Sequence, residues 1–157
     1  MSRTTRATQA LQQAGVAFTL HPYDYDAGAD SIGLAAAQAL GIAPRQMLKT
    51  LMAEADGKPV CVVLPADREV SMKKLAALFG AKSAQMMKPA AAERLTGFHV
   101  GGISPFGQKR LVPTAIEQAA MAEPLVYINA GQRGLLLSLP PEQARDVLHA
   151  RCGPVVA

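Results

Sequence analysis

The chain has 157 residues, of which 50% are hydrophobic and 18% are charged, and this composition excludes global disorder while allowing one domain of ordinary size. The net charge is +4, no apolar run is long enough to span a bilayer, and the first residues lack the apolar core of a signal peptide, so we expect a cytoplasmic protein without a membrane partner. The two cysteines, Cys61 and Cys152, predict no disulfide framework.

Apolar spacing and turn residues divide the first half of the chain into helices and strands. Apolar residues at helical spacing precede Gly15, and a second such run, which Asp30 or Ser31 can cap, ends at Gly41. Asp56-Gly57 is a strong turn signal between two extended segments. The predicted elements are a helix over 4–14, a strand over 16–23, an acidic loop over 24–30, a helix over 31–41, and a hairpin of strands over 47–54 and 59–65.

The second half of the chain continues this alternation. Ser71 begins a basic amphipathic helix, and Pro140-Pro141 begins the last helix. Most strand connections are hairpins and no long linker divides the chain, so we expect one domain over 1–157 with a mixed α/β (α+β) fold and a largely antiparallel sheet surrounded by helices. The predicted elements are a helix over 71–80, strands over 83–86 and 98–100, a helix over 89–96, an extended segment over 111–112, a hairpin of strands over 125–129 and 135–139, and a helix over 141–152.

The positive charge is concentrated in one part of the chain. Between residues 68 and 110, eight lysines and arginines stand against two glutamates, so this stretch carries a net charge of +6. A basic half of this kind indicates a polyanionic partner such as RNA. A solvated protein surface explains the same pattern.

The stretch Gly101–Arg110, GGISPFGQKR, is rich in glycine and ends in two cations. Several backbone N–H groups of such a loop can point at one anionic or carbonyl oxygen. Gly102 and Gly107 have the glycine spacing of a Walker A loop, but the lysine stands one place late and the magnesium-binding hydroxyl is missing. A ligand-binding loop and a purely structural turn remain open, and Lys109 and Arg110 either contact a ligand or are ordinary surface charges.

Lys49 lies in the extended segment MLKTLMA among apolar neighbours. A cation in such a strand is either on a sheet edge or directed into a cavity, where an anion or a polarised carbonyl would have to meet it. Side chains alternate along a strand, so Thr50 is expected on the face opposite to Lys49. Both residues could then serve one site only through a bulge or a bend.

The usual nucleophile systems are poorly supported by the sequence. Cys61 lies among valines and is expected to be a buried core thiol, while His21, His99 and His149 are isolated and lack metal-ligand spacing. No GxSxG elbow and no clear carboxylate pair occurs. If the chain is an enzyme, its substrate or a water has to supply the nucleophile, and we expect neither a metal nor another cofactor.

Lys49-Thr50, the GGISPFGQKR loop and the segment YINAGQRGL together resemble the YbaK family of aminoacyl-tRNA deacylases, free-standing relatives of the editing domain of bacterial prolyl-tRNA synthetase. The resemblance covers nearly the whole chain and implies a curved, barrel-like sheet. It also implies hydrolysis of mischarged tRNA, chiefly cysteine on the proline tRNA, without a metal. In close relatives the cysteine thiol of the substrate is thought to attack its own ester carbonyl, so that the tRNA leaves and a cyclic thioester forms.

The resemblance also implies roles for particular residues. Lys49 would be the essential lysine, which grips the phosphate of the terminal nucleotide or polarises the ester. The loop from Gly101 to Pro105 would seat the aminoacyl end with its backbone. Leu136 departs from the acidic residue of YbaK itself, and the loss of a carboxylate there would change how the pocket holds the substrate's amino group or thiol. The further substrate-binding residues implied are Tyr23, Ile32, Thr50, Gly102, Ile103, Ser104 and Asn129, of which Asn129 replaces a serine and Ile32 a phenylalanine found in close relatives.

The leading prediction is therefore an editing deacylase for Cys-tRNA(Pro), with Cys-tRNA(Cys) as a further substrate. A second reading is a deacylase that removes alanine or another small residue from the proline tRNA, and a third is a non-catalytic tRNA-binding module. The expected partners are the aminoacylated end of tRNA and prolyl-tRNA synthetase, with no DNA. Candidate tRNA-binding cations are Lys73, Lys74, Lys109 and Arg110.

Overall fold

The computed structural model describes residues 4–26, 28–29 and 31–157. Within these ranges the chain forms five α-helices and eight β-strands, with short 3₁₀ helices at Pro44–Gln46 and Gln118–Ala122. None of these helices has the length and hydropathy that crossing a membrane requires. The helices are α1 (Arg6–Gln13), α2 (Ile32–Leu40), α3 (Met72–Leu78), α4 (Pro89–Thr96) and α5 (Pro141–Leu148). The strands are β1 (Thr19–Pro22), β2 (Leu48–Ala55), β3 (Lys58–Pro65), β4 (Ala84–Met86), β5 (Thr114–Glu117), β6 (Val126–Gln132), β7 (Leu135–Leu139) and β8 (Arg151–Gly153).

The helix boundaries follow capping residues that the sequence displays. The Ser31 hydroxyl accepts a backbone N–H at 3.3 Å at the start of α2, and Ser71 does the same at 3.2 Å before α3. Gly41 ends α2 with a φ of 67°, a left-handed conformation that glycine adopts without a Cβ penalty. These predicted boundaries are confirmed, while Asp30, the alternative cap, lies outside the described residues.

The strands form two open sheets. The first has the order β1-β7-β6 and is antiparallel throughout, and the second has the order β4-β2-β3-β5-β8. In the second sheet β2 pairs antiparallel with β3 and β4, whereas β5 pairs parallel with both β3 and β8. The mixed α/β class is thus confirmed. The barrel-like sheet is not supported, because among the described strands neither sheet pairs its first strand with its last, as closure requires.

The two sheets share one large hydrophobic core. Met52 and Cys61 from the five-stranded sheet pack in the same cluster as Ile128 and Leu137 from the three-stranded sheet. β3 contributes most to burial, since its residues 60–64 are at most 3% exposed, as the apolar run PVCVVLP predicts. An isolated parallel bridge between Met47 and Tyr127 links the sheets where β2 begins. The start of β2 is therefore held at the junction of the two sheets.

Three stretches differ from the sequence prediction. Residues 98–100, predicted as a strand, form a turn, and Gly97 before them has a φ of 81°. The last helix ends at Leu148 instead of continuing to 152, because His149 takes a left-handed φ of 50° and releases the chain into β8. β5 and β8 were not predicted, since each is short and is stabilised by parallel pairing with a strand distant in sequence.

Candidate active site

A pocket of about 360 Å³ is bordered by both sheets and by the helices α2 and α4. Most of the side chains around it are apolar. One side of the pocket consists of residues 47–52, which include the first part of β2, and residues 31–33 at the start of α2. The segment that contains the end of β4 and the start of α4 contributes Met86, Met87, Pro89 and Ala92. The remaining residues are Tyr23 and Tyr25, the loop residues Val100, Gly101 and Ile103, and Asn129 and Leu136 from β6 and β7.

The pocket runs along an incompletely paired edge of β2. Ladder pairing on this edge covers Ala53–Ala55, which face β4, and Met87 N donates to Met52 O at 3.1 Å next to it. At the other end of this edge a bridge joins Met47 to Tyr127. Lys49 therefore lies on a sheet edge and also borders a cavity. The sequence leaves these as alternatives, and both are true. Thr50 borders the same pocket although β2 and β3 pair without a register shift. The predicted bulge is not needed, because a pocket along a strand edge meets consecutive residues.

The Lys49 amine is partly withdrawn from water. Burial lowers the pKa of Lys49 below its ordinary value, while the carboxylates of Glu69 and Asp67 oppose this change. These two acidic residues follow β3, the strand that pairs with the Lys49 segment. A half-buried ammonium whose charged form is disfavoured gains most from an anionic or polarised ligand oxygen.

The Thr50 hydroxyl is a buried polar group that the protein leaves unpaired. Thr50 Oγ1 is inaccessible to solvent and has no hydrogen-bond partner among the described residues. Leaving such a group unpaired costs about 1–3 kcal/mol. Thr50 also borders the pocket, so a bound molecule can supply the missing partner once a small movement of this residue exposes the hydroxyl.

Three side chains fix the part of the glycine loop that borders the pocket. Asn129 Nδ2 donates to Gly101 O at 3.2 Å, and Arg133 Nε donates to Val100 O at 2.9 Å. Glu93 Oε2 accepts from Val100 N at 2.8 Å, and this hydrogen bond lowers the pKa of Glu93. Asn129 also accepts from the N–H groups of residues 131 and 132 in the irregular part of β6, so the loop is tied to a rigid turn.

Glycine is required at two positions of this loop. Gly101 has a φ of 90°, and a Cβ there would lie 2.5 Å from the hydroxyl oxygen of Tyr25. At Gly102 a Cβ would lie 2.9 Å from Arg133 N, so the two backbone segments approach too closely for a side chain. Gly102 N is itself used, since it donates to His99 O at 2.8 Å. At least one of the backbone N–H groups predicted to bind a ligand is therefore used to hold the loop in shape.

The central part of the loop turns inward and packs on the core. Ser104, Pro105 and Phe106 are buried, and Ser104 Oγ accepts from Phe106 N at 3.2 Å. Gln108 Nε2 donates to Ser104 O at 3.0 Å and lies 3.5 Å from Met52 Sδ. Ser104 and Pro105 therefore support the loop from beneath and are not among the residues that border the pocket.

The structure brings most of the predicted substrate-binding residues together. Tyr23, Ile32, Ile103 and Leu136 border the pocket beside Lys49. Leu136 is 1% exposed and pairs with a residue of β1 on one side and with Asn129 on the other. The predicted tRNA-binding cations are not among the residues that border the pocket. Lys73 and Lys74 are exposed on α3, and Lys109 and Arg110 are exposed at the end of the GGISPFGQKR loop.

Several pocket residues were not predicted from the sequence. Four methionines (Met47, Met52, Met86 and Met87) border the pocket, as does Tyr25. Methionine at these positions is indistinguishable from core packing by spacing alone, and only the fold shows that the side chains meet at one cavity. No three described His, Cys, Asp or Glu side chains gather as metal ligands would. The expectation of a metal-free reaction remains a prediction.

Comparison with known proteins gives matches in sequence and in structure. Residues 27–147 match a family model described as aminoacyl-tRNA editing domain. A protein of Enterococcus faecalis provisionally assigned as the Cys-tRNA(Pro)/Cys-tRNA(Cys) deacylase EbsC is 36% identical over 107 residues, which is 68% of this chain and 65% of that protein. The proline–tRNA ligase of Nitratidesulfovibrio vulgaris (strain DP4) is 40% identical over 68 residues, which is 43% of this chain and 12% of the ligase.

A solved structure supports the fold. The crystal structure of a protein provisionally assigned as a trans-editing enzyme for prolyl tRNA synthetase superposes with a TM-score of 0.86 at 20% identity, over 99% of both chains. By contrast, the aligned segments span less than two thirds of each of the two sequence relatives.

Proposed function

Because the chain belongs to the aminoacyl-tRNA editing domain family, we propose that it is a deacylase that hydrolyses the ester bond of mischarged tRNA. The observation that carries this proposal is the position of Lys49, a half-buried lysine that borders the same apolar pocket as the loop residues Gly101 and Ile103. Such a pocket can enclose an aminoacyl group, and the lysine can attract the polar ester or phosphate at its mouth.

For the substrate, we propose cysteine attached to the proline tRNA, with Cys-tRNA(Cys) as a further candidate. The substrate thiol, as thiolate, attacks the ester carbonyl, so that a C–S bond forms and the C–O bond to the ribose breaks. The proton lost by the thiol ends on the ribose oxygen of the departing tRNA, and water then opens the cyclic thioester to give free cysteine. This assignment accords with the described pocket wall, which contains no cysteine or histidine.

The protein contributes positioning and electrostatics to this reaction. Lys49 polarises the ester or holds the terminal phosphate, and the Thr50 hydroxyl offers a hydrogen bond that it does not use within the protein. Gly101 and Ile103 present the loop to the aminoacyl group. Prolyl-tRNA synthetase is the partner that would release such a mischarged tRNA, and the cytoplasm is the expected compartment.

Removal of alanine from the proline tRNA is the second candidate, because Leu136 gives the pocket an apolar wall that accepts it. The side chain is buried against the pocket, where it offers no charge to the substrate's amino group or thiol. An apolar wall of this kind suits a small aliphatic side chain as well as it suits a thiol.

Deacylation of Cys-tRNA(Pro) and Ala-tRNA(Pro) by the wild type and by Lys49→Ala tests the proposal. We expect faster release of cysteine than of alanine, and a loss of at least about tenfold in kcat/KM in the variant, as removal of one charged hydrogen bond predicts. Lys58→Ala, an exposed lysine at the start of β3, is the matched control and should retain activity. Faster alanine release would replace the cysteine assignment, and binding of tRNA without turnover of either ester would show a binding module.

A further inference from the structure

A second hollow of about 320 Å³ adjoins the aminoacyl pocket. It is bordered by Pro22, Tyr23, Asp24, Tyr25, Arg133 and Gly134. Tyr23 and Tyr25 border both hollows and so form a shared wall. The first hollow is largely apolar, whereas the second is lined mainly by polar atoms and includes a guanidinium group.

Arg133 is held in place before any ligand binds. Its Nε donates to Val100 O at 2.9 Å, and its Cζ lies 5.5 Å from the centroid of the Tyr25 ring. These two contacts fix the guanidinium plane although the side chain is exposed. The terminal nitrogens of Arg133 find no acceptor in the part of the chain that the structure describes, so they remain available to a ligand. A guanidinium group fixed in this way loses little conformational entropy when it binds an anion.

The order of the two hollows matches the order of groups in an aminoacylated RNA end. In such a substrate the aminoacyl group is followed by a ribose and then by the phosphate on the 5′ side of that ribose. An apolar pocket and an arginine-lined hollow with a shared wall can hold the two ends of this short unit. The guanidinium fork suits phosphate oxygens, which it can bind through two parallel hydrogen bonds.

We infer that Tyr25 and Arg133 form a subsite for the 5′-phosphate of the nucleotide that carries the aminoacyl group. This inference rests on the proposed function, because it takes the first hollow as the aminoacyl pocket, and of the two roles proposed for Lys49 it leaves that of polarising the ester. Asp24 is the carboxylate among the residues that border the hollow, and it opposes the binding of an anion there. Loss of its charge should therefore strengthen phosphate binding, whereas loss of the Arg133 charge should weaken it.

The test compares two small esters that differ by one phosphate. The wild type is assayed with 3′-O-aminoacyl adenosine and with its 5′-phosphate, using the amino acid that it releases fastest from tRNA. We expect the phosphate to raise kcat/KM about tenfold, the effect of one hydrogen bond to a charged group. In Arg133→Gln this preference should disappear while hydrolysis of the unphosphorylated ester continues, and in Asp24→Asn it should increase.

Arg151→Gln is the matched control. Arg151 is also exposed, donates to a backbone carbonyl (Leu78 O, 3.0 Å) and lies 5.4 Å over an aromatic ring (Phe79), but it belongs to β8 at the far edge of the five-stranded sheet. The control should keep the full phosphate preference. A wild type without that preference would overturn the subsite. An Arg133→Gln variant equally impaired on both esters would show that Arg133 only supports the loop.

A binding measurement separates this inference from the proposed function. If the wild type hydrolyses neither small ester, turnover of the aminoacylated tRNA itself decides on the deacylase proposal, and calorimetric titration with adenosine 5′-monophosphate and with adenosine decides on the subsite. Tighter binding of the monophosphate that is lost in Arg133→Gln and kept in Arg151→Gln would support it. Equal binding of the two compounds would overturn it.

Discussion

Asn129 Nδ2 donates to Gly101 O at 3.2 Å, and this hydrogen bond joins the irregular turn of β6 to the loop that borders the pocket. The other atom of the same amide, Oδ1, accepts from Gly131 N at 2.6 Å and from Gln132 N at 3.2 Å. One side chain therefore shapes a turn and positions the loop at the same time.

Asn129→Asp should separate these two roles. The carboxylate keeps the acceptor for Gly131 N but can no longer donate to Gly101 O at 3.2 Å or, within the turn, to Gln132 O at 3.4 Å. We expect faster hydrogen exchange at residues 100–103 and a fall in kcat/KM of about tenfold, with a small change in the free energy of unfolding. Asn129→Ala, which removes both roles, should destabilise the fold by a further ~1–2 kcal/mol. Unchanged exchange in Asn129→Asp would contradict the positioning role.

Thr50→Val should raise stability and lower activity together. Valine has nearly the same shape as threonine and removes a buried hydroxyl that has no partner among the described residues. We expect the free energy of unfolding in urea to rise by about 1 kcal/mol and kcat/KM to fall by about tenfold if the substrate pairs with this hydroxyl. Thr50→Ser keeps the hydroxyl and should keep most of the activity. A variant that is more stable and fully active would assign Thr50 no role in substrate binding.

The ionisation of Lys49 should limit activity at alkaline pH. Burial lowers its pKa below the ordinary 10.5, so the charged form is lost as the pH rises through that lowered value. Glu69 opposes the shift, and Glu69→Gln should therefore lower the pKa of Lys49 further. In a pH profile of kcat/KM, the alkaline limb of Glu69→Gln should lie at lower pH than that of the wild type.

The matched control for this pH prediction is Glu142→Gln on α5, for which the alkaline limb of the kcat/KM profile should lie at the same pH as in the wild type. Both enzymes act on the same ester, so titration of the substrate cancels in the comparison. Coincident limbs in Glu69→Gln and the wild type would mean that Lys49 does not act as a cation. A direct NMR titration of the Lys49 side chain should give the same order of pKa values.

Gly101→Ala should destabilise the protein more than the same change at another left-handed glycine. Gly80 has a φ of 67°, and no atom lies within 4 Å of the place that a Cβ would take, so Gly80→Ala measures the backbone strain alone, about 1–2 kcal/mol. At Gly101 a Cβ would also meet the Tyr25 hydroxyl at 2.5 Å. Urea denaturation should therefore show a larger loss for Gly101→Ala, and Tyr25→Phe should recover part of it. Equal losses at both glycines would indicate that the loop moves freely.

The sequence predicts local structure better than it predicts the site. Capping residues such as Ser31 and turn signals such as Asp56-Gly57 act over a few residues, so they can be recognised in the sequence without knowledge of distant contacts. β5 and β8 depend on parallel pairing with distant strands, and neither the pairing nor the openness of the sheets is encoded in a short pattern. Long-range contacts decide these features.

The site shows the same division. Lys49 and the glycine loop are unusual enough in sequence to be predicted as candidates. Arg133 and Tyr25 are far apart in sequence, and no local pattern indicates that they meet; their proximity follows from the pairing of β1 with β7. Ser104 is the reverse case. It was predicted to contact the substrate, but its side chain is buried and accepts a hydrogen bond from Phe106 N.

The pairing of β1 with β7 has a consequence for the newly made chain. Thr19 pairs with Ser138, so the first strand leaves the ribosome long before its partner exists. Such distant pairings are slow to form, because the intervening chain must lose much of its freedom first. Lys49 and its strand can find β3 early through a tight hairpin. Asn129 and Leu136, which complete the pocket, are synthesised much later than Lys49. The pocket should therefore be among the last features to form as the chain is made.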